Sequence, residues 1–420
     1  MIEHYYSKPQ TIDRIRAHWL GEPVERYVIW MHDQGYAARN VFRRVPLLLH
    51  FGDYAKARGA QTWPDLPPHV QGFVEDWVRE HGKDCRTERA RKRVINTVRG
   101  PTEQMLRLLL PGFTGTGRGR PFPFSNQAPG FLAHLREERG LRPATLLGYR
   151  HCLQPFEVYL SEIKAHSVKD LSPAILSAFV TARSARWGRS MLHSLCSVLR
   201  VFLLYLYREK LIPQDLSASV EGPRQYRLSS IPRSISWTEV ERMLAAVDRR
   251  GAVGKRDYAI LLLLVTYGLR GREVAALTLD DIDWERERLR VPERKAGHST
   301  AYPLSPIVGE AIVDYLKHGR PQKVDRHVFY RVLAPWHPMT ADGISGRASY
   351  YLHKAGVAVP RPGSHTLRHT CVQRLIDAHF PLKTIGDYVG HGSPESTAIY
   401  AKVSVENLRE VALGDGEEVL

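Results

Sequence analysis

The chain of 420 residues is 43% hydrophobic and 25% charged, which excludes a collagen-like, low-complexity or wholly disordered polymer. At about 100–200 residues per domain it has room for two to four domains. Sixty Lys and Arg against 44 Asp and Glu leave a formal charge of +16, which suits a polyanion such as nucleic acid, although a basic enzyme with no such partner carries the same balance.

Taken in chain order, the first residues show no basic stretch followed by an apolar one, so no signal peptide is expected. The longest apolar run, Ile260 to Val265, is far short of the roughly 20 residues that cross a bilayer. Four cysteines (Cys85, Cys152, Cys196, Cys371) lie far apart without C-x-x-C spacing, so reduced thiols are expected rather than a disulfide framework. These features predict a soluble cytoplasmic protein with no membrane partner, nucleoid-associated if prokaryotic.

Two segments resemble each other. Gly35 to Tyr54 and Gly140 to Tyr159 share Gly, Phe and Tyr anchors at an offset of 105, and the same offset carries Asp65-Leu66 and Pro68 onto Asp170-Leu171 and Pro173. Phe73-Val74 meets Phe179-Val180 after one inserted residue, and the match fades after residue 80. A shared offset over several anchors reads as a duplicated helical unit, against chance likeness between two amphipathic helix pairs. A Gly- and Pro-rich stretch at 114–130 separates the two. A second break at 223–236 ends in Ser236-Trp237-Thr238-Glu239, whose capping-box spacing predicts a helix start. The chain therefore divides into 1–113, a linker at 114–130, 131–222, a linker at 223–236, and 237–420. In the last part, Asp257 to Gly268 reads as a buried helix, with another starting near Arg270. Residues 289–291 and 301–304 read as strands of a hairpin around a K-A-G-H-S-T turn, and helices return from His365 onward.

Motifs for several chemistries are missing. His365 and His369 are four apart, but Thr366 stands where a zinc protease helix carries Glu. No carboxylate cluster stands nearby to build a magnesium site, and there is neither a phosphate loop nor a G-x-S-x-G elbow. Neither a metal nor any other cofactor is expected. What the last part does carry is a spaced series of cations ending in a tyrosine. Gly268-Leu269-Arg270-Gly271-Arg272-Glu273 is followed by Lys295, His365-Thr366-Leu367-Arg368-His369, Gly390-His391 and Tyr400. Cleaving a phosphodiester without metal needs positive groups around the oxygens where charge develops. Two guanidiniums match two non-bridging oxygens, and a tyrosine can attack if cations favour its phenolate.

These residues, in this order, resemble the tyrosine recombinase, or phage integrase, family over about residues 237–405, and the unit at 131–222 is similar to that family's helical core-binding domain. The resemblance implies a mainly α fold. Two helical SAM-like DNA-binding units would precede a mixed α/β catalytic domain with a small antiparallel sheet. It implies a site-specific DNA strand transferase of the integrase or transposase type, working through a 3′-phosphotyrosyl intermediate without metal or ATP. Carried onto this chain, Tyr400 would be the nucleophile, and Arg270 and Arg368 would clamp the scissile phosphate. Lys295 would protonate the departing 5′ oxygen, His365 would move a proton at the tyrosine, His391 would hydrogen-bond the phosphate, and Glu273 would orient Arg270. The expected partners are double-stranded DNA at specific recombination sites, further copies of the chain (a tetramer on synapsis), and other recombinase subunits. The rival readings are a type IB topoisomerase-like relaxing enzyme and a catalytically silent DNA-binding accessory protein.

Several of these residues have plainer alternatives. Lys295 beside Arg294 fits a solvated hairpin charge, Arg272 can be mistaken for Arg270, and Tyr388 reads as a core position. Arg86, Arg89 and Arg93 fall on one face of an expected helix, as a phosphate-tracking stripe or as a solvated face. Arg118 and Arg120 in the first linker suit a groove-lying arm, and Arg142, Arg150, Arg183, Arg186 and Arg189 are candidate phosphate contacts in the second unit. The extra unit at 1–113 would either lengthen the DNA footprint or dock onto another subunit.

Overall fold

The computed structural model describes residues 1–83, 85–115, 121–165, 167–224, 234–292, 299–322 and 325–390. Two compact units emerge: Met1–Thr116 together with Ser230–Leu420, and Gly117–Ser229.

The N-terminal part of the first unit is helical, with α1 (Ile2–Tyr5), α2 (Pro9–Ala17), α3 (Gly21–Asp33), α4 (Ala38–Lys56), α5 (His69–His81) and α6 (Glu88–Leu109). Apolar residues at helical spacing, among them Tyr27, Met31, Leu48, Phe51, Phe73 and Met105, close its core. The second unit has α7 (Phe131–Ala133), α8 (Pro143–Glu162), α9 (Pro173–Ser184) and α10 (Arg189–Arg208) around Leu153, Phe156, Phe179, Leu199 and Phe202. By length and composition α10 could cross a membrane. Here its apolar stripe, from Leu192 to Leu206, lies in the core of the unit.

The duplication read from the sequence recurs in the structure. α4 and α8 start 105 residues apart, each behind a positive-φ glycine, Gly35 and Gly140. The short helical turns Trp63–Asp65 and Val168–Asp170 keep the same offset, and both carry a capping box, Thr62 with Asp65 and Ser167 with Asp170. Phe51 meets Phe73 at 5.2 Å between ring centroids, as Phe156 meets Phe179 at 4.8 Å. Tyr54 and Tyr159 stand 5.2–5.3 Å from the same two rings. Such aromatic pairs contribute about 0.5–1.5 kcal/mol each beyond their buried area. Beyond residue 80, where the sequence match fades, each unit still adds one long helix, α6 and α10.

The remaining part of the first unit contains α11 (Trp237–Ala245), α12 (Ala252–Thr266), α13 (Gly271–Ala276), α14 (Pro306–His318), α15 (Ala341–Lys354), α16 (Ser364–Asp377) and α17 (Leu382–Val389). Ser236 and Glu239 form the expected capping box ahead of α11. α12 is apolar on nearly all sides, and Ala259 to Val265 are all buried, which makes it the central core helix. Its buried Arg256–Asp257 pair is bound tightly. Arg256 donates from Nε and Nη2 to Asp257 at 2.9 and 2.7 Å, and Arg347 Nε and the Tyr351 hydroxyl reach the other Asp257 oxygen at 2.7 and 3.2 Å. Arg256 Nη1 also donates to Tyr330 O at 3.0 Å, so α12, α15 and the chain at Tyr330 share one buried polar knot.

The expected hairpin is β2 (Arg288–Val291) with β3 (Thr300–Pro303), preceded by β1 (Ile282–Asp283) in an antiparallel β1-β2-β3 sheet that pairs Leu289 with Tyr302. Leu289, Val291 and Tyr302 face the core while Arg288 and Arg290 face out. The sequence reading omitted β1, α14 and α15. β1 is two residues long, below any periodicity, whereas α14 and α15 do carry start signals, Pro306 in the first turn and the Thr340 cap.

One loop joins the N-terminal helices to this part. Trp336 N–H donates to Gln34 O at 3.3 Å, and its indole lies on Gly35, where a Cβ would come within 2.1 Å of the ring at a φ of +73°. Only glycine meets both demands at position 35.

Candidate active site

Arg270 and Arg368 lie 98 residues apart in sequence, yet they hold neighbouring points of one segment. The chain leaves α12 and turns at Gly268, with φ +59° and a Cβ position 3.1–3.2 Å from Val389 and Cys371, so a side chain there would be strained and crowded. The turn presents Gly268 O to Arg368 Nη1 at 2.6 Å, while Arg368 Nη2 donates to Val389 O at 2.8 Å. Arg270 caps α13. Its backbone N–H donates to Glu273 Oε2 at 2.9 Å and its Nη1 to Glu273 Oε1 at 2.7 Å. Arg270 Nη2 reaches Gly390 O, the next carbonyl after the one that Arg368 holds, at 2.8 Å. The two guanidiniums thus meet at the end of α17. Arg368 is 4% exposed, whereas the Arg270 side chain keeps 16%.

His365 lies one turn before Arg368 on α16 and reaches solvent. Protein packed against one side of its ring, then the charges of Arg368 and Arg270, push its pKa below the ordinary 6.5. The ring is therefore neutral at pH 7 and able to accept a proton. His369 lies behind it, with ring centroids 6.5 Å apart.

The structure thus brings Arg270, Glu273, His365 and Arg368 together. Lys295, His391 and Tyr400 fall outside the described residues; in sequence Lys295 lies between β2 and β3, and Gly390 directly precedes His391. Tyr388 is a packing residue. Its ring stands 5.0 Å from that of Tyr302, its hydroxyl donates to Thr266 O at 3.1 Å, and Tyr388 O accepts from the Tyr302 hydroxyl. Cys371 is buried, and burial pushes its thiol up to about 12, which makes it inert as a nucleophile. Among the described residues no group of His, Cys, Asp and Glu has metal-site geometry.

Sequence reasoning missed the carbonyl frame at 268, 389 and 390, since backbone acceptors leave no compositional trace. It also missed the Asp257 knot, which the charged pair Arg256-Asp257 inside an apolar helix could have signalled.

The candidate DNA contacts divide by setting. α6 begins at Glu88 behind the Thr87 cap, so Arg86 lies before the helix, and only Arg89 and Arg93 share a helical register. Arg142, Arg186 and Arg189 are exposed and Arg150 is half-buried. Arg183 lies 5.2 Å over the Phe179 ring and donates to Pro155 O at 3.3 Å, which commits part of it to the fold. Arg118 and Arg120 lie outside the described residues.

Residues 233–407 match the phage integrase family, and residues 129–210 match the phage integrase N-terminal SAM-like domain. A putative integrase/recombinase of Sinorhizobium fredii, y4rA, is 31% identical over 406 residues, covering 93% of this chain and 94% of that one. Tyrosine recombinase XerD of Proteus mirabilis is 32% identical over 289 residues, 66% of this chain and 89% of its own. Two solved structures share the fold. XerH recombinase in a post-cleavage complex with difH has a TM-score of 0.53 at 19% identity, covering 68% of this chain and 84% of its own. A lambda integrase dimer on a core site has a TM-score of 0.52 at 16% identity, covering 66% of this chain and 94% of its own. On this ground the chain belongs to the phage integrase family, the tyrosine recombinases that cleave and rejoin DNA strands.

Proposed function

We propose that the chain is a site-specific DNA recombinase of the integrase or transposase type, acting on duplex DNA as a synaptic tetramer in the cytoplasm, at the nucleoid. The observation that carries this is the meeting of Arg270 and Arg368, beside a neutral His365, on the adjacent carbonyls of Gly390 and Val389, the former ten residues before Tyr400. In this reading 1–113, 131–222 and 237–420 are the working domains, and the last performs the chemistry. Arg270 and Arg368 neutralise the non-bridging oxygens of the scissile phosphate, and Glu273 holds Arg270 in place. The Tyr400 oxygen attacks phosphorus as His365 takes its proton. The bond to the 5′ oxygen breaks, Lys295 protonates that oxygen, and His391 hydrogen-bonds the phosphate. A 5′-hydroxyl from the partner strand reverses the steps. The phosphotyrosyl bond keeps the energy of the broken phosphodiester, so the exchange balances without ATP.

The test is to express wild type and Tyr400→Phe in cells with the DNA flanking the native gene, then sequence DNA ends bound to protein after SDS. Adducts at a few discrete, paired sites, absent in Tyr400→Phe, are expected. Adducts scattered along the DNA would favour a relaxing enzyme, and no adducts would contradict the proposal.

The lowered pKa of His365 sets the sign of the pH dependence. Because the folded chain binds this proton less tightly than the unfolded one, the site costs stability as pH falls below 6.5 and costs nothing above it. The acid limb of adduct formation on a nicked substrate should have its midpoint below pH 6.5. In His365→Gln the rate should be lower throughout, with that acid limb gone. A wild-type limb above pH 6.5 would refute the assignment of His365 as base.

A further inference from the structure

Between α5 and the N-terminal half of α6 lies a cleft of about 530 Å³ whose lining includes Gln71, Arg79, Lys83, Cys85, Arg91 and Arg99. Among the described residues Glu75 is the one acid in that lining, against four cations, of which Arg79 also pairs with Asp76 at 3.0 Å. Arg91 and Arg99 stand eight residues apart on α6 with Ile95 between them, so one helical face forms the wall. Arg99 donates from Nη2 to Gln71 Oε1 at 2.5 Å, while its Nε is buried with no partner. A buried N–H without an acceptor costs about 1–3 kcal/mol, and this one belongs to a side chain that lines the cationic hollow.

We infer that this cleft takes a backbone phosphate of duplex DNA, which makes the N-terminal helical part a second DNA clamp in addition to the SAM-like one. The inference rests on the recombinase reading above. The ligand chemistry is a phosphodiester, because a cleft lined by four cations calls for an anionic oxygen acceptor. Duplex DNA is favoured over a free anion because exposed Arg86, Arg89 and Arg93 carry positive charge beyond the cleft. None of these three pairs with an acid among the described residues. The repeat supports the same assignment: the second unit also presents exposed arginines, Arg186 and Arg189, at the start of its last long helix. Arginines recurring at that point of both copies fit a shared task better than chance decoration of two surfaces. A unit of this size is about 30 Å across, so the second clamp would cover roughly nine further base pairs at about 3.4 Å each.

The cleft contains its own reporter. Cys85 is half-buried in it, while Cys152, Cys196 and Cys371 are buried, so iodoacetamide should label Cys85 first. The full chain is labelled with and without a 40-bp mixed-sequence duplex while fluorescence anisotropy follows binding. The duplex should slow labelling at least fivefold at about 50 mM salt, and about 0.5 M salt should restore it. Lys83→Gln/Arg91→Gln changes two exposed residues; it should lose the protection and lower the slope of log affinity against log salt by about 2. The matched control Arg14→Gln/Arg26→Gln should keep both. Duplex binding without protection would overturn the inference. So would equal protection by 10 mM inorganic phosphate, which would assign a small-anion site, or protection by raised protein concentration alone, which would assign a second copy of the chain. Absence of duplex binding by wild type would fail the recombinase reading itself, and anisotropy shows that outcome separately.

Discussion

Arg368→Ala is expected to slow strand cleavage about a thousandfold and to lower stability by about 2–6 kcal/mol. The first figure is what one oriented donor contributes to a developing oxyanion, about 10²–10³ in rate, at the top of its range because the donor is charged. The second follows from burial. Arg368 is 4% exposed, and its removal leaves Gly268 O and Val389 O without their donor, each at about 1–3 kcal/mol. Arg368→Lys separates the two effects: one ammonium supplies charge but cannot span both carbonyls in the same fork. It should regain part of the stability and little of the rate. Rates on a nicked substrate and thermal unfolding read the two quantities, and cleavage at the wild-type rate by Arg368→Ala would contradict its place at the phosphate.

Arg270→Ala should be comparably severe, for a related reason. Glu273 is 6% exposed and receives Arg270 through both backbone and side chain. Deleting the guanidinium leaves a buried carboxylate without its cation, at about 3–5 kcal/mol, and removes a phosphate donor. Glu273→Gln keeps an acceptor but loses the charge that aims Arg270. A loss of about 10²-fold in cleavage is expected from misplacement alone, with DNA affinity nearly unchanged. The double variant Arg270→Ala/Glu273→Gln should recover stability relative to Arg270→Ala while cleavage stays as slow as in Arg270→Ala. Stabilities that merely add would mean that the pair does not couple as its geometry requires.

The recombinase fold was legible largely because its chemistry is local in sequence. The Gly268-Leu269-Arg270-Gly271-Arg272-Glu273 run places the cap, its arginine and its acid within one turn, and the His365 to Arg368 spacing places both side chains on one face of α16. The duplication was legible too, because the aromatic anchors that close each small core sit at one offset. What stayed hidden was set by long-range packing. Whether Arg368 meets Val389, or Trp336 meets Gly35, depends on where loops return, and that is not written in periodicity. The α5–α6 cleft escaped for a similar reason: Cys85 to Arg93 showed only a charge run, and the concavity comes from α5 packed beside it.

The most direct measurement is to map the protein–DNA linkage itself. After covalent capture and nuclease digestion, the tryptic peptide 384–402 contains both Tyr388 and Tyr400, so fragment-ion mass spectrometry must place the nucleotide on one of them. The account predicts a 3′-phosphoryl nucleotide on the oxygen of Tyr400, with a free 5′-hydroxyl on the other DNA end. Tyr388 should be unmodified, its hydroxyl held by Thr266 O. A nucleotide on Tyr388, on a serine, or joined through a 5′-phosphate would contradict it.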